Sequence, residues 1–135
     1  MRKEIEDRLI EFASEVNRMR THMELSDYAE NLFKQLSRSS SSAALNYGEA
    51  LGAESRKDFA HKIGIVLKEI RESYNNLRII SKSDFYKGDK NTLETMINEC
   101  NQLVAIFHKT ALSLRKKSST KIISTSELLL IQNLD

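Results

Sequence analysis

A run of 135 residues without one proline, and with only four glycines, has very little with which to turn a chain sharply. Proline and glycine supply most tight-turn geometry, and an all-β sandwich or barrel needs turn signals about every 8–12 residues. A chain this poor in breakers is therefore expected to spend its length in long helices. Apolar residues make up 40% and charged residues 30%, enough for one buried core and too apolar for wholesale disorder. The length suits a single domain.

The hydrophobic periodicity agrees. Ile5, Leu9, Phe12, Val16 and Met19 recur at steps of four and three with charged residues between them, the signature of one helix with one buried stripe. A second stripe runs from Ser26 through Ala29, Leu32, Leu36, Ser39, Ala43, Asn46 and Ala50 to Gly52, where a left-handed C-terminal cap is expected. Ser55 and Asp58 form an approximate capping box before Phe59, Ile63, Val66, Ile70, Leu77 and Ile80, and that helix should end between Ser81 and Phe85. After Lys87-Gly88-Asp89, Asn91 and Glu94 offer another box before Leu93, Ile97, Cys100, Val104, Phe107, Ala111 and Leu114.

Four amphipathic helices joined by short links must alternate in direction, because a short link cannot carry the chain back along a helix. The expected fold is an all-α, antiparallel up-and-down four-helix bundle over 1–117, with a C-terminal extension over 118–135. Apolar Ile122 to Leu134, containing Leu128-Leu129-Leu130-Ile131, is expected to dock on the bundle or on a neighbouring subunit, since exposed it would invite aggregation.

Several linked positions carry a more specific signal. Gln35-Leu36-Ser37-Arg38, Asn46, Glu49-Ala50-Leu51-Gly52-Ala53, Ser55, Asp58-Phe59, Lys62, Leu67-Lys68-Glu69, Arg71-Glu72 and Leu77-Arg78 follow one another in fixed register without a gap. In this the chain resembles the four-helix-bundle family first noticed in intervening sequences of bacterial 23S ribosomal RNA genes. The resemblance implies an antiparallel bundle, a homo-oligomeric ring of five and no catalytic activity. A related accessory protein of diversity-generating retroelements binds nucleic acid and a reverse transcriptase, which points to RNA, DNA or a protein as partner. Arg38, Asn46, Glu49, Glu69 and Glu72 are the hallmark polar positions that the resemblance carries over. Asn75-Asn76 departs from the family's aromatic pair before Leu-Arg, with Tyr74 as a partial replacement.

Each polar feature has a plain structural reading beside the functional one. Asn46, in the apolar seam, would cost about 1–3 kcal/mol if buried without partners, so a register-setting residue with satisfied bonds is expected. Arg38, Glu49, Glu69 and Glu72 flank their stripes and suit ion pairs between helices or subunits. Asp58-Phe59-Ala60-His61 is the nearest approach to the Glu-x-x-His of di-iron bundles, but it occurs once. His61 also lies about 200° round the helix from Phe59, facing solvent. Cys100, the lone cysteine, falls on a buried stripe as a small hydrophobe and rules out an internal disulfide. The serine run from Ser39 to Ser42 suits close helix approach.

No phosphate loop, metal-ligand spacing or nucleophile elbow appears, so no catalytic, cofactor or metal residue is expected. The N-terminal residues lack a signal-peptide core and no run is long enough to span a bilayer, so a cytoplasmic, non-membrane protein is expected.

Lys and Arg number 21 against 19 Asp and Glu, so a net charge of +2 does not by itself imply a nucleic-acid binder. Any such surface must come from uneven distribution. Lys34, Arg56, Lys57, Lys62, Lys68, Arg71 and Arg78, with Arg38 and Lys82, gather on the second and third helices, with Asp58, Glu69 and Glu72 interleaved. Two functions follow: a non-enzymatic oligomeric scaffold binding nucleic acid or a nucleic-acid enzyme through basic outer faces, or a purely structural protein-adaptor bundle. Phe33, Tyr47 and Ile65 are the candidate apolar residues for contacts between copies.

Overall fold

The second, third and fourth helices of the bundle each start where a side-chain oxygen is available to satisfy a first free amide. In the computed structural model, which describes residues 2–24 and 26–120, α1 spans Arg2–Met19, α2 Asp27–Leu51, α3 Arg56–Ser81 and α4 Lys90–Thr120. Ser26 Oγ accepts from the Ala29 amide at 3.2 Å, and Ser55 Oγ from the Asp58 amide at 3.0 Å, which sets the starts of α2 and α3. At α4 the expected cap is displaced by two residues. Asp89, not Asn91, caps it, accepting from the Asn91 amide at 3.0 Å, and an aspartate there also complements the helix dipole.

One further boundary expectation is corrected. Gly52 closes α2 at φ −98°, outside the left-handed region, and its N–H bonds back to Glu49 and Ala50 carbonyls. Nothing in the Arg115–Thr120 sequence halts α4: no residue there lacks an amide donor or favours a turn strongly enough, so the helix runs to Thr120. The expected docking segment Ile122 to Leu134 lies outside the described residues.

The α1–α2 and α3–α4 connections meet at the same end of the bundle. One turn of 3-10 helix, Arg20–His22, leads into an isolated antiparallel bridge between Met23 and Tyr86. The Glu24 amide donates to the Phe85 carbonyl and the Lys87 amide to the His22 carbonyl, both at 2.7 Å. Gly88 makes this meeting feasible: a Cβ there would lie 2.5 Å from Tyr86 Oη and 2.9 Å from His22 Cβ. At the opposite end Arg56 Nη2 donates to the Leu114 carbonyl at 3.0 Å, tying the start of α3 to α4. The chain therefore runs up and down in four helices.

The core stripes of α1 and α3 are those the periodicity marks; every apolar residue named for them is buried. On α2, Tyr47 takes the inward position expected for Asn46 and meets Phe107 edge-on at 5.3 Å and 75°. On α4 the innermost residues are Leu93, Met96, Cys100, Leu103, Phe107, Thr110 and Leu114. These alternate steps of three and four, so Ile97, Val104 and Ala111 flank the seam half-buried. Full burial of a side chain such as Phe12 or Phe107 contributes about 1.5–3 kcal/mol. Phe33 and Tyr47 are spent in this core, which removes them from the expected second apolar surface, while Ile65 is half-buried.

Candidate nucleic-acid interface

The seam between α2 and α3 is the polar one, and it absorbs most of the hallmark residues. Arg38 Nη1 lies 2.6 Å from Glu69 Oε2, and its other terminal nitrogen bonds Glu72, so one guanidinium spans two carboxylates one turn apart. These two hydrogen bonds, Glu72 first, hold the Arg38 guanidinium above its ordinary value. Lys62 Nζ lies 2.7 Å from Glu49 Oε1, and that bond raises the ammonium's pKa. Deeper in the seam, Ser39 and Ser73 hydroxyls meet at 2.7 Å with both residues fully buried. Small side chains at these positions let two helices approach closely.

The fifth hallmark position behaves differently. Asn46 is half-buried and its amide donates within its own helix, to Ser42 O at 2.9 Å and Ser42 Oγ at 3.1 Å. The buried amide is Asn76, whose Nδ2 donates across the seam to Leu32 O at 3.1 Å while its Oδ1 has no partner. Its sequence signal is the 4-3-4 spacing Glu69, Ser73, Asn76, Ile80, a polar edge on the α3 stripe. Between α1 and α4, Arg8 bonds both Glu99 oxygens, at 2.9 and 2.7 Å, a bidentate clamp with no sequence motif to announce it.

Drawing the carboxylates of α3 toward α2 leaves its other flank basic. At about 100° per residue, Lys57, Lys68, Arg71, Arg78 and Lys82 fall within an arc of roughly 80°, while Asp58, Glu69 and Glu72 occupy a separate arc of roughly 60°. The charges interleave in sequence but segregate in space. All five cations are exposed, and Gly64 and Asn75 are the neutral exposed residues between them. The row extends about 37 Å at 1.5 Å per residue. Among the described residues, none of the five is bonded to a carboxylate. Arg71 Nη2 lies 3.0 Å from His108 Nδ1 on α4, and the Arg78 guanidinium lies over the Tyr74 ring at 5.4 Å. Tyr74 is thus half-buried beneath a cation.

The other candidate contacts are placed elsewhere. Arg56 is half-buried and committed to the Leu114 carbonyl, and Lys62 faces α2 and Glu49. Neither belongs to the basic row. Lys34 is exposed on α2, 4.0 Å from Glu30. His61 faces solvent as expected. Among the described residues no group of three or more His, Cys, Asp or Glu is placed to hold a metal ion. Cys100 is fully buried, with Sγ 3.5 Å from Ile70 O, and burial pushes its thiol well above the ordinary range. No helix among the described residues is long and apolar enough to cross a membrane.

The asymmetry extends to the whole bundle. By sequence, α1 and α2 each carry one more carboxylate than cations, whereas α3 and α4 each carry three more cations than carboxylates. Fold and charge together define an up-and-down helical bundle with one basic flank. The chain belongs to the 23S rRNA-intervening sequence protein family, whose model matches residues 3–109. A similar solved structure is a protein of unknown function from the S23 ribosomal protein family of Bacteroides thetaiotaomicron. It is 24% identical, with a TM-score of 0.69 over 79% of this chain and 97% of that one, a likeness of fold. No curated protein matches the sequence.

Proposed function

We propose that this protein is a non-enzymatic, cytoplasmic, homo-oligomeric scaffold that binds nucleic acid through the α3 flank, by its phosphates. One observation carries the reading: the exposed row Lys57, Lys68, Arg71, Arg78 and Lys82 contains no carboxylate and has none bonded to it. A surface whose charges served only solubility would gain from mixed signs, as the α2–α3 seam shows with Arg38, Glu69 and Glu72. A single-sign row instead attracts a polyanion and gains from counterion release. The row offers no free aromatic platform, because Tyr74 is covered by Arg78, and no helix fitted with base-reading side chains in a groove. Contacts therefore go to the backbone, and sequence matters little.

Assembly strengthens this reading. Ile10 is 51% and Leu45 68% exposed, and they flank a shallow groove between α1 and α2 whose other walls include Ala13, Ala44, Ser37 and Ser41. Small residues beside exposed aliphatic ones suit close docking of a second copy, away from the basic flank. A ring of five would repeat the row in each subunit, and weak phosphate contacts would add.

The test is fluorescence anisotropy with labelled RNA and DNA at about 50 mM salt and above, where each neutralised phosphate contributes a slope of about 0.7–0.9. Binding should weaken steeply with salt. The variant Lys57→Glu/Lys68→Glu/Arg71→Glu should lose it while keeping its helical circular dichroism, since none of these residues is buried. Equal retention by wild type and variant, or no retention by either at low salt, refutes the reading in favour of a protein adaptor.

A further inference from the structure

A cavity of about 540 Å³ opens where the end of α1 meets the start of α4, on the side of the bundle away from the α2–α3 seam. Buried Met19 and Met96 form its apolar part, Glu15, Arg18, Asn91, Thr92 and Thr95 its polar wall, and His22 and Tyr86 its edge. We propose that this cavity binds a primary ammonium ion carrying a short aliphatic chain, with Glu15 as its counter-ion and the two methionine side chains against the hydrocarbon.

Among the described residues, Glu15 is a carboxylate to which no cation is bonded. Arg18, the nearest guanidinium on α1, is drawn onto Glu11 at 2.9 Å, and Arg8 is held by Glu99 at 2.7 Å. Glu15 therefore sits near two carboxylates, Glu11 and Glu99, and Arg18, which lines the same cavity, is bonded to Glu11 and not to Glu15. Partial burial, then Glu11, push its carboxyl above the ordinary value, with Glu99 adding and Arg18 opposing. A cation entering the cavity would relieve that crowding. An anion would not, and the start of α4 offers it little, since Asp89 already accepts the Asn91 amide at 3.0 Å and bonds the Thr92 hydroxyl at 3.4 Å.

The remainder of the lining sets the shape of the ligand. Thioether side chains are polarisable and adapt to a flexible chain, so Met19 and Met96 suit an alkyl group better than a flat ring. The Tyr86 hydroxyl is engaged with the Asp89 carbonyl at 3.1 Å, which fixes it at the edge of the cavity.

An ionised carboxylate held above its ordinary pKa costs the folded state stability once the pH exceeds that of the unfolded group. Glu15→Gln should therefore raise the melting temperature at neutral pH, whereas a residue kept for structure would lower it on substitution. The experiment follows the methionine ε-methyl signals of the full chain by NMR while hexylammonium, hexanol or hexanoate is added. Hexylammonium is expected to shift Met19 and Met96 saturably, with a dissociation constant of about 1 mM for so small a ligand. Hexanol should bind at least about fivefold more weakly and hexanoate not measurably. In Glu15→Gln the hexylammonium affinity should fall at least about tenfold while the free variant melts higher. Equal response to all three probes, no saturable response to hexylammonium, unchanged affinity in the variant, or a lowered melting temperature would each overturn the assignment.

Discussion

Arg38→Met tests whether the α2–α3 ion pairs hold the bundle or merely decorate it. Glu69 is 5% exposed, whereas the Arg38 side chain is 55% exposed and the Glu72 side chain 35%. Losing the Glu72 arm should cost about 0–1 kcal/mol, the range for surface pairs. Losing the Glu69 arm strands a buried carboxylate that was bonded at 2.6 Å. A fully buried pair broken in this way costs about 3–5 kcal/mol, but half-exposed Arg38 lets water reach the site, so about 2 kcal/mol is expected. For a domain of this size that is a melting temperature lower by about 6–10 °C. In urea, with m of about 2 kcal/mol/M, the midpoint should fall by about 1 M. Glu69→Met should cost less than about 1 kcal/mol, because Arg38 keeps Glu72 and water. The double variant should then be no less stable than Glu69→Met alone, since no carboxylate is left stranded. Chemical denaturation of all four proteins, followed by circular dichroism, measures the cycle. A loss below about 0.5 kcal/mol in Arg38→Met, or additive losses in the double variant, refutes the reasoning.

Tyr47→Phe should stabilise: the hydroxyl of this fully buried residue has no hydrogen-bond partner, and burial pushes its pKa up to about 12. A gain of about 1 kcal/mol, or about 3–5 °C, is expected while the edge contact to Phe107 is kept, and thermal melting that shows any loss would contradict it. Native mass spectrometry should give a multiple of the 15.5 kDa chain, five for a ring, and Ile10→Lys/Leu45→Lys should reduce it to a folded monomer. A wild-type monomer at micromolar concentration would remove oligomerisation from the proposal.

The helices of this chain were legible wherever one apolar stripe had no rival. On α1 and α3 the residues beside Ile5, Leu9, Phe12 and beside Ile63, Val66, Ile70 include enough charge that only one face can be buried. On α4 alternate core positions have an apolar neighbour, as in Met96-Ile97, Leu103-Val104 and Thr110-Ala111, so two stripes that share Leu93, Cys100, Phe107 and Leu114 fit the periodicity equally well. Only the packing of the neighbouring helices selects Met96 and Leu103. On α2 the run Ser39 to Ala44 blurs the period, because serine and alanine are tolerated on either face, and the register was lost by one residue at Asn46 and Tyr47. The start of α4 is ambiguous for a related reason: Asp89 and Asn91 are both good caps.

The basic flank was within reach of the sequence, because the separation of cations from carboxylates on α3 follows from helical rotation alone. Which cations are committed inward was not. Arg56 is engaged because α4 brings the Leu114 carbonyl to it, and Lys62 because Glu49 lies on the facing side of α2. Both are tertiary facts. The seam and the flank are also linked through Arg38. Glu72 stands four residues after Lys68, the spacing at which a helix pairs a carboxylate with a lysine. It is kept from doing so because Arg38 holds it on the α2 side. The residue that fastens α2 to α3 thus keeps the outer row free of negative charge, so the hallmark Arg38, Glu69 and Glu72 cluster serves the proposed phosphate surface without touching it.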